Sequence, residues 1–185
     1  MHGKDKGEAP MRIGIIGGGN VGGNLGNLLH DAGHQVCAGM REGGQARPDA
    51  RYAVGTVAEA LLDSALVVLA LPYSACAAAL PPLADALAGQ IVVDATNPLQ
   101  ADWSPLSLGA DSSAAEEISR LLPRSHVVKA FNTIFADVMT HERLDRGGQA
   151  VTVFVAGSHG RRRGSDRLPS RALSDDHRGP GHPRR

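Results

Sequence analysis

A glycine run between a short apolar segment and an amphipathic one constrains this 185-residue chain more than any other feature. The run, residues 17–22 (GGGNVG), contains the spacing G-x-G-x-x-G. Before it, residues 11–16 (MRIGII) have the apolar character of a buried β-strand. After it, apolar residues recur at helical spacing to Ala32. Strand, glycine turn and helix in this order predict a dinucleotide-binding βα unit.

Each glycine of the motif has its own role in such a unit. Gly17 permits the sharp turn, Gly19 lets the backbone approach a pyrophosphate, and Gly22 lets the helix pack closely on the strand. The N–H groups and the positive dipole end of the helix then face the phosphates. A glycine-rich turn without a ligand is the alternative interpretation, because short motifs also match by chance.

Apolar runs separated by helical segments predict the rest of the fold. Strands are predicted at residues 35–38, 66–71, 91–94, 126–129 and 151–155, and helices begin at capping boxes in residues 56–59 and 113–116. This alternation predicts an α/β fold, a Rossmann-like doubly wound parallel sheet in a single domain. We expect a disordered leader at residues 1–10, the domain at 11–157 and a disordered tail at 158–185.

Composition excludes several other classes of protein. The leader lacks the apolar stretch of a secretion signal, and no apolar run approaches the ~20 residues of a membrane span. Cys37 and Cys76 stand far apart in apolar stretches, which favours buried thiols in a reducing cytoplasm over a disulfide. The eight His residues lack the spacing of metal ligands, so no metal site is expected.

The zero net charge conceals two segments of opposite charge. Residues 1–158 hold 11 basic and 16 acidic residues, a net charge of −5, whereas residues 159–185 hold 8 Arg and 3 Asp, a net charge of +5. The second segment also lacks Val, Ile and aromatic residues, so it cannot bury enough apolar surface to offset the entropy of ordering.

This abrupt change in composition favours a reading-frame shift near Gly157, which translation of the coding DNA in its other two frames would test. A phosphate-binding or nucleic-acid-binding tail around residues 161–163 (RRR) is the alternative, but we expect no nucleic-acid partner.

The end of the second predicted strand indicates which dinucleotide such a unit would take. An NAD-specific unit has an acidic residue there to hold the ribose 2′-OH, whereas this chain has Ala38, Gly39 and Met40. Arg41 follows, and a guanidinium can bind the 2′-phosphate of NADP through two hydrogen bonds. NADP is therefore favoured over NAD. A solvated surface arginine beside Glu42 is the alternative.

Three further strand ends carry residues suited to a ligand site. They are residues 71–73 (LPY), 96–98 (TNP) and 130–133 (AFNT). Each segment alone could be a strand-ending turn. Together they fall on the edge where open α/β sheets bind their ligands, so they predict one shared site.

Taken in order, these segments resemble the NADPH-dependent F420 reductases, also called F420:NADP oxidoreductases. That family lies within the wider group that shares the amino-terminal domain of pyrroline-5-carboxylate reductase. The matching stretches are residues 11–22, 70–73 (ALPY), 93–99 (VDATNPL), 127–133 (VVKAFNT) and 135–136. The resemblance covers about residues 11–157.

The resemblance implies a cytoplasmic oxidoreductase in which hydride passes directly between NADP(H) and the deazaflavin F420. The cofactor-binding residues that it implies by position are Gly17, Gly19, Asn20, Val21, Gly22, Met40, Arg41, Leu71, Pro72, Asn97 and Asn132. The five of these from Gly17 to Gly22 would hold the pyrophosphate, and Met40 and Arg41 would hold the adenosine phosphate end. Leu71, Pro72, Asn97 and Asn132 would lie on the nicotinamide side. The family has Ser where this chain has Met40, which removes one hydroxyl donor to a 2′-phosphate.

No set of residues for nucleophilic or acid–base catalysis stands out, and no catalytic residue is expected. Ring-to-ring hydride transfer needs none, because the cofactors carry the reactive atoms and the protein orients them. The expected partner is a small-molecule hydride acceptor: F420, or a flavin or an imine in a related enzyme. A nucleotide-binding module without turnover remains a further alternative. The family implies a homodimer, whose contacts the altered tail would remove.

Overall fold

One sheet organises the described part of the chain, which in this computed structural model is residues 9–100, 102–108, 111–144 and 151–157. The strands are β1 Arg12–Ile16, β2 Gln35–Met40, β3 Ala53–Thr56, β4 Leu66–Leu69, β5 Ile91–Asp94, β6 His126–Ala130 and β7 Val155–Gly157. The helices are α1 Asn20–Asp31, α2 Val57–Leu61, α3 Tyr73–Ala79, α4 Ala114–Leu121 and α5 His141–Leu144. Short 3-10 helices lie at Pro81–Leu83 and Ala136–Val138.

The strand order of the sheet is β3-β2-β1-β4-β5-β6-β7. The first six strands are parallel, and β7 pairs antiparallel with β6 at the edge. The chain moves outward from β1 to β3 and then returns to the other side of β1 as β4. This reversal opens a crevice at the carboxyl ends of β1 and β4, where doubly wound sheets bind ligands. The predicted Rossmann-like fold in a single domain is confirmed.

Both faces of the central strands are buried, which explains their continuous apolar runs. Along β4, Leu66 and Val68 belong to a core cluster that includes the leucines of α1. Val67 and Leu69 point to the opposite face and belong to a second cluster, with residues of α3 and α4. Parallel strands covered on both faces need apolar residues at successive positions. None of the helices in the described ranges combines the length and hydropathy that crossing a membrane requires.

The structure corrects the sequence predictions at the two edges of the sheet. The strand predicted at residues 151–155 is Val155–Gly157 instead, and it is antiparallel and exposed. Val153 lies in a loop and packs on the core. The segment therefore contains apolar residues typical of a strand without forming one there. Edge strand β3 was missed because its residues are exposed or half-buried and carry no apolar run. Of the predicted leader and tail, residues 1–8 and 158–185 lie outside the described residues.

Candidate functional site

The turn between β1 and α1 has a shape that only glycine permits. Gly17 has a φ of +101°, in the left-handed region, and a Cβ on it would lie 2.6 Å from the carbonyl oxygen of Ala70. A Cβ on Gly22 would lie 1.9 Å from the carbonyl oxygen of Gly17, so helix and turn could not pack as they do. At Gly19, by contrast, no atom of the described residues lies within 4 Å of such a Cβ, apart from the adjoining backbone. The space in front of Gly19 can therefore receive a ligand.

The first turn of α1 presents N–H groups that no side chain caps. Gly19 is its N-cap residue, and the first turn contains no acidic residue. The helices α2 and α4 begin instead with the predicted capping boxes, formed by Thr56 with Glu59 and by Ser113 with Glu116. A helix N-terminus attracts anions through its unpaired N–H groups and its dipole. The N-terminus of α1 is accordingly suited to a phosphate group.

The end of β2 lies beside this turn. The Sδ atom of Met40 would lie 2.6 Å from a Cβ on Gly18, so the thioether packs directly on the glycine turn. Arg41 is exposed, and within the described residues its side chain has no hydrogen bond or ion pair. A guanidinium at this position is available to a phosphate group.

A second guanidinium, which the sequence analysis missed, lies at the first turn of α1. The Nη1 atom of Arg47 donates to the carbonyl oxygens of Asn20 at 3.3 Å and Gly19 at 3.5 Å. Its side chain fills the space beside Gly23, where a Cβ would lie 2.5 Å from the Cδ of Arg47. Asp49 accepts hydrogen bonds from Arg47 at 2.9 and 2.8 Å, and these hydrogen bonds lower the pKa of the Asp49 carboxyl. No periodic pattern marks an arginine in an irregular loop, so the sequence held no signal for it.

Leu71 and Pro72 follow β4 on the other side of the crevice. A Cβ on Gly17 would lie 3.0 Å from the Cδ2 of Leu71, so Leu71 borders the turn. Leu71 also packs on the core cluster that includes residues of α3. Pro72 is exposed at the start of α3. Leu71 is therefore adjacent to the glycine turn, and Pro72 is the next residue along the chain.

Asn97 and Asn132 meet where β5 and β6 end. The Nδ2 atom of Asn97 donates to the backbone carbonyl oxygen of Asn132 at 2.9 Å. The chain after β6 turns at Phe131, whose φ of +64° is uncommon for an aromatic residue. Asn97 is exposed, and its amide oxygen has no partner in the ranges that the structure describes. That oxygen can accept a hydrogen bond from a ligand.

A buried ion pair adjoins the turn that carries Asn97. Asp94 is fully buried, and the Nζ of Lys129 donates to its Oδ2 at 2.9 Å and also to the carbonyl oxygen of Thr96. The Oδ1 of Asp94 accepts a hydrogen bond from the N–H of Thr96 at 2.9 Å. Burial, with a smaller contribution from Asp94, raises the pKa of the Cys76 thiol to about 11. The sequence signal for this pair is one acidic residue in IVVD of β5 and one lysine beside the valines of β6, because buried charges must be paired.

The structure places the predicted site residues in two groups at one edge of the sheet. The group around the β1–α1 turn comprises Gly17, Gly19, Asn20, Val21, Gly22, Met40, Arg41, Leu71 and Pro72. The Asn97–Asn132 contact is the second group. The side chain of Val21 packs partly on the core, which leaves its backbone for a ligand. No group of three His, Cys, Asp or Glu side chains in the described ranges could hold a metal ion.

The comparison with protein families gives a match over the part of the chain that contains the first group. Residues 12–98 match the model of a family described as NADP oxidoreductase, coenzyme F420-dependent. The match begins at β1 and includes the glycine turn, Arg41, Leu71, Pro72 and Asn97. Asn132 lies beyond it.

Two curated relatives are similar to this chain. Metalloreductase STEAP3 of Rattus norvegicus is 35% identical over 130 residues, which are 70% of this chain and 26% of the relative. F420-dependent NADP reductase of Methanothermobacter marburgensis is 30% identical over 148 residues, 70% of this chain and 66% of the relative. The chain therefore spans a minor part of the first relative and just under two thirds of the second.

A solved structure shares the fold over most of its length. The crystal structure of a candidate F420-dependent NADP reductase from Arthrobacter sp. FB24 matches with a TM-score of 0.68 and 31% sequence identity. The match covers 80% of this chain and 74% of that protein.

Proposed function

This chain belongs to the family of coenzyme F420-dependent NADP oxidoreductases, and from that membership we propose that it transfers hydride between NADP(H) and the deazaflavin F420. The family identified from the sequence is confirmed. The observation that carries the proposal is the β1–α1 turn, which combines free space at Gly19 with an uncapped helix N-terminus. This turn lies in the crevice where the sheet reverses direction, next to the end of β4.

The residues of the turn fit the pyrophosphate of NADP. The N–H of Gly17 already donates to the carbonyl oxygen of Gly39 at 3.2 Å, so Gly17 would contribute the turn itself. Backbone N–H groups from Gly18 to Gly22, Asn20 and Val21 included, would donate to the pyrophosphate oxygens, and the dipole of α1 would favour its negative charge. The close contact between Gly22 and Gly17 keeps the helix near the strand, which brings those N–H groups into the crevice.

The end of β2 fits the 2′-phosphate that distinguishes NADP from NAD. Arg41 has no protein partner in the described ranges and would bind this phosphate by charge-assisted hydrogen bonds. Arg47, whose charge is balanced by Asp49, fixes the loop between β2 and β3 against the first turn of α1. Met40 supports the proposal less, because a thioether donates no hydrogen bond where the family has a serine hydroxyl.

Leu71, Pro72, Asn97 and Asn132 would border the nicotinamide. Leu71 and Pro72 supply apolar surface that excludes water, and the free amide oxygen of Asn97 would accept from the nicotinamide carboxamide. The bound rings supply the redox chemistry, in which a hydride leaves NADPH and, with one proton from solvent, reduces the acceptor. The residues of this chain orient the two rings and exclude water from the space between them.

The identity to metalloreductase STEAP3 favours a second candidate acceptor. In that case a flavin would take the hydride from NADPH, and its two electrons would reduce two metal ions in turn. The nicotinamide side of the site would be the same. The two candidates would differ in the acceptor ring that faces the nicotinamide, F420 in the first and a flavin in the second.

An acceptor panel tests the proposal directly. The protein is mixed with NADPH and with F420, FMN, FMN plus a ferric chelate, or a cyclic imine, and the loss of NADPH absorbance is recorded. A parallel series with NADH tests the dinucleotide preference. We expect oxidation of NADPH with F420. Oxidation only with FMN would support the second candidate, and NADPH binding without oxidation by any acceptor would contradict both.

We also propose the extent and setting of the functional unit. The NADP-binding domain would be residues 11–157, which include every residue of the site. Cys37 and Cys76 are free and buried, which suits a reducing cytoplasm.

A further inference from the structure

Asp94, the last residue of β5, and Lys129, the next-to-last residue of β6, form an ion pair. They are register partners in β5 and β6, and Leu69 of β4 is the other neighbour of Asp94 in the sheet. The Asp94 side chain is 0% exposed and that of Lys129 is 15% exposed. A buried ion pair contributes little net stability, because desolvation of the two charges offsets their attraction. Stability alone therefore gives no reason for charged residues at these two positions.

The remaining hydrogen bonds of the pair converge on Thr96. The Oδ1 of Asp94 accepts from the N–H of Thr96 at 2.9 Å, and the Nζ of Lys129 donates to the carbonyl oxygen of Thr96. Thr96 is itself buried. Both backbone groups of one residue are thus held by charge-assisted hydrogen bonds, which are stronger than neutral ones. Thr96 cannot rotate without breaking at least one of them.

The held residue directly precedes Asn97. The Nδ2 of Asn97 donates to the carbonyl oxygen of Asn132. Asn132 follows Phe131, the residue in the left-handed conformation, which lies two residues after Lys129. The ion pair therefore anchors both strand ends that meet in this contact. With Nδ2 engaged, the amide oxygen of Asn97 has a defined direction.

We propose that Asp94 and Lys129 are positioning residues that hold Thr96 and thereby set the side-chain amide of Asn97 for the nicotinamide carboxamide. The inference rests on the proposed function for the identity of the ligand. The hydrogen bonds that fix Thr96 and Asn97 are present in the ligand-free protein. They require a hydrogen-bond acceptor at position 94 and a donor at position 129, and two opposite charges alone would not suffice.

The charge-reversed variant Asp94→Lys/Lys129→Asp separates positioning from charge pairing. It retains two opposite charges but places a donor against the N–H of Thr96 and an acceptor against its carbonyl oxygen. We expect kcat for NADPH oxidation to fall by about 10- to 100-fold, because small misplacements of reacting groups have effects of this size. The Kd for NADPH should change little, since the pyrophosphate site is intact. A kcat equal to that of the wild type would overturn the proposal.

An apolar variant covers the case in which the reversed pair does not fold. Asp94→Val/Lys129→Met removes both charges, and such replacements of buried ion pairs are often neutral for stability. We expect a melting temperature near that of the wild type with the same loss of kcat, and wild-type kcat would again overturn the proposal. The matched control is Asp85→Asn/Arg124→Gln, which removes an exposed ion pair remote from the site. This control should leave kcat unchanged.

Hydrogen exchange at Asn97 tests the inference without any turnover. In the wild type, the Nδ2 proton of Asn97 that is donated to Asn132 should exchange more slowly than the other Nδ2 proton, as measured by NMR. In both double variants we expect exchange about tenfold faster or more, because the turn opens locally. If the wild type oxidises no NADPH, the proposed function fails and this measurement still decides the inference. Unchanged exchange in the variants would overturn it.

Discussion

Of the three motif glycines at the β1–α1 turn, Gly17, Gly19 and Gly22, the fold requires two and leaves one free. Gly17 and Gly22 approach backbone atoms so closely that a methyl group at either position would force the turn apart. A methyl group on Gly19 would contact no atom beyond the adjoining backbone in the part of the chain that the structure describes. A substitution at Gly19 can therefore test ligand binding without disturbing the fold.

Gly19→Ala is expected to weaken NADPH binding by about tenfold or more, equivalent to at least ~1.4 kcal/mol, because the methyl group occupies the space proposed for the pyrophosphate. The φ of Gly19 is −71°, which suits alanine, so the melting temperature of the variant should not fall. Calorimetric titration with NADPH measures the change. Gly157→Ala is the matched control, since its methyl group would make an ordinary contact with Val128 at 3.6 Å. Equal affinities of Gly19→Ala and the wild type would contradict the placement of the phosphates.

Arg41→Ala should weaken NADPH binding much more than NADH binding. Hydrogen bonds to charged groups contribute about 1.5–3 kcal/mol, so the loss for NADPH is expected to be about 10- to 100-fold. Quenching of Trp103, the only tryptophan of the chain, offers a convenient readout. Arg124→Ala removes a surface arginine remote from the site and should alter neither affinity. Equal losses for both nucleotides in Arg41→Ala would exclude a 2′-phosphate contact.

At the scale of helices and strands, the sequence predicted what burial and local hydrogen bonds determine. Strand β5 was predicted at its observed bounds because both faces are buried, and the two capping boxes were found because they are local. Edge strands β3 and β7 carry little burial signal, so one was missed and the other misplaced. In the site, the glycine turn and Arg41 follow from local spacing. The position of Arg47 and the hydrogen bond from Lys129 to Thr96 depend on tertiary contacts that no local pattern encodes.

The capping box of α4 should make stability depend on pH. Hydrogen bonds from the hydroxyl and N–H groups of Ser113 hold the pKa of the Glu116 carboxyl below its ordinary value of 4.5. A carboxyl with a lowered pKa in the folded state stabilises it above pH 4.5, and this contribution disappears as pH falls through the lowered pKa.

Ser113→Ala is therefore expected to lower stability by about 1 kcal/mol at neutral pH. The difference in melting temperature from the wild type should shrink below pH 4.5. Ser119→Ala is the control in the same helix, where the hydroxyl donates to the carbonyl oxygen of Ala115 and caps nothing. A difference that stays constant from pH 7 to pH 3 would contradict the role of Glu116.

At the scale of the whole molecule, the site edge and the β7 edge have different properties. The site edge brings together the ends of five strands, β1, β2, β4, β5 and β6. At the β7 edge, Phe154 is 66% exposed and Val155 is 54% exposed. An exposed apolar edge strand can pair with another chain.

We expect the purified protein to associate through β7 as its concentration rises. Phe154→Lys/Val155→Lys should shift the sedimentation profile toward the monomer, because charged residues on an edge strand oppose pairing. Leu62→Lys changes a similarly exposed residue away from this edge and should leave association unchanged. A profile that does not respond to the β7 substitutions would exclude this edge as the contact.

The most direct test of the central claim is an NMR titration of the ¹⁵N-labelled protein with NADPH. The account predicts that the largest amide shifts fall in residues 17–22, followed by Arg41, Leu71 and Asn97. Titration with NADH should reproduce the shifts of the glycine turn and leave Arg41 nearly unchanged. An absence of shifts in residues 17–22, or shifts concentrated elsewhere in the sheet, would contradict the claim that this turn binds the pyrophosphate.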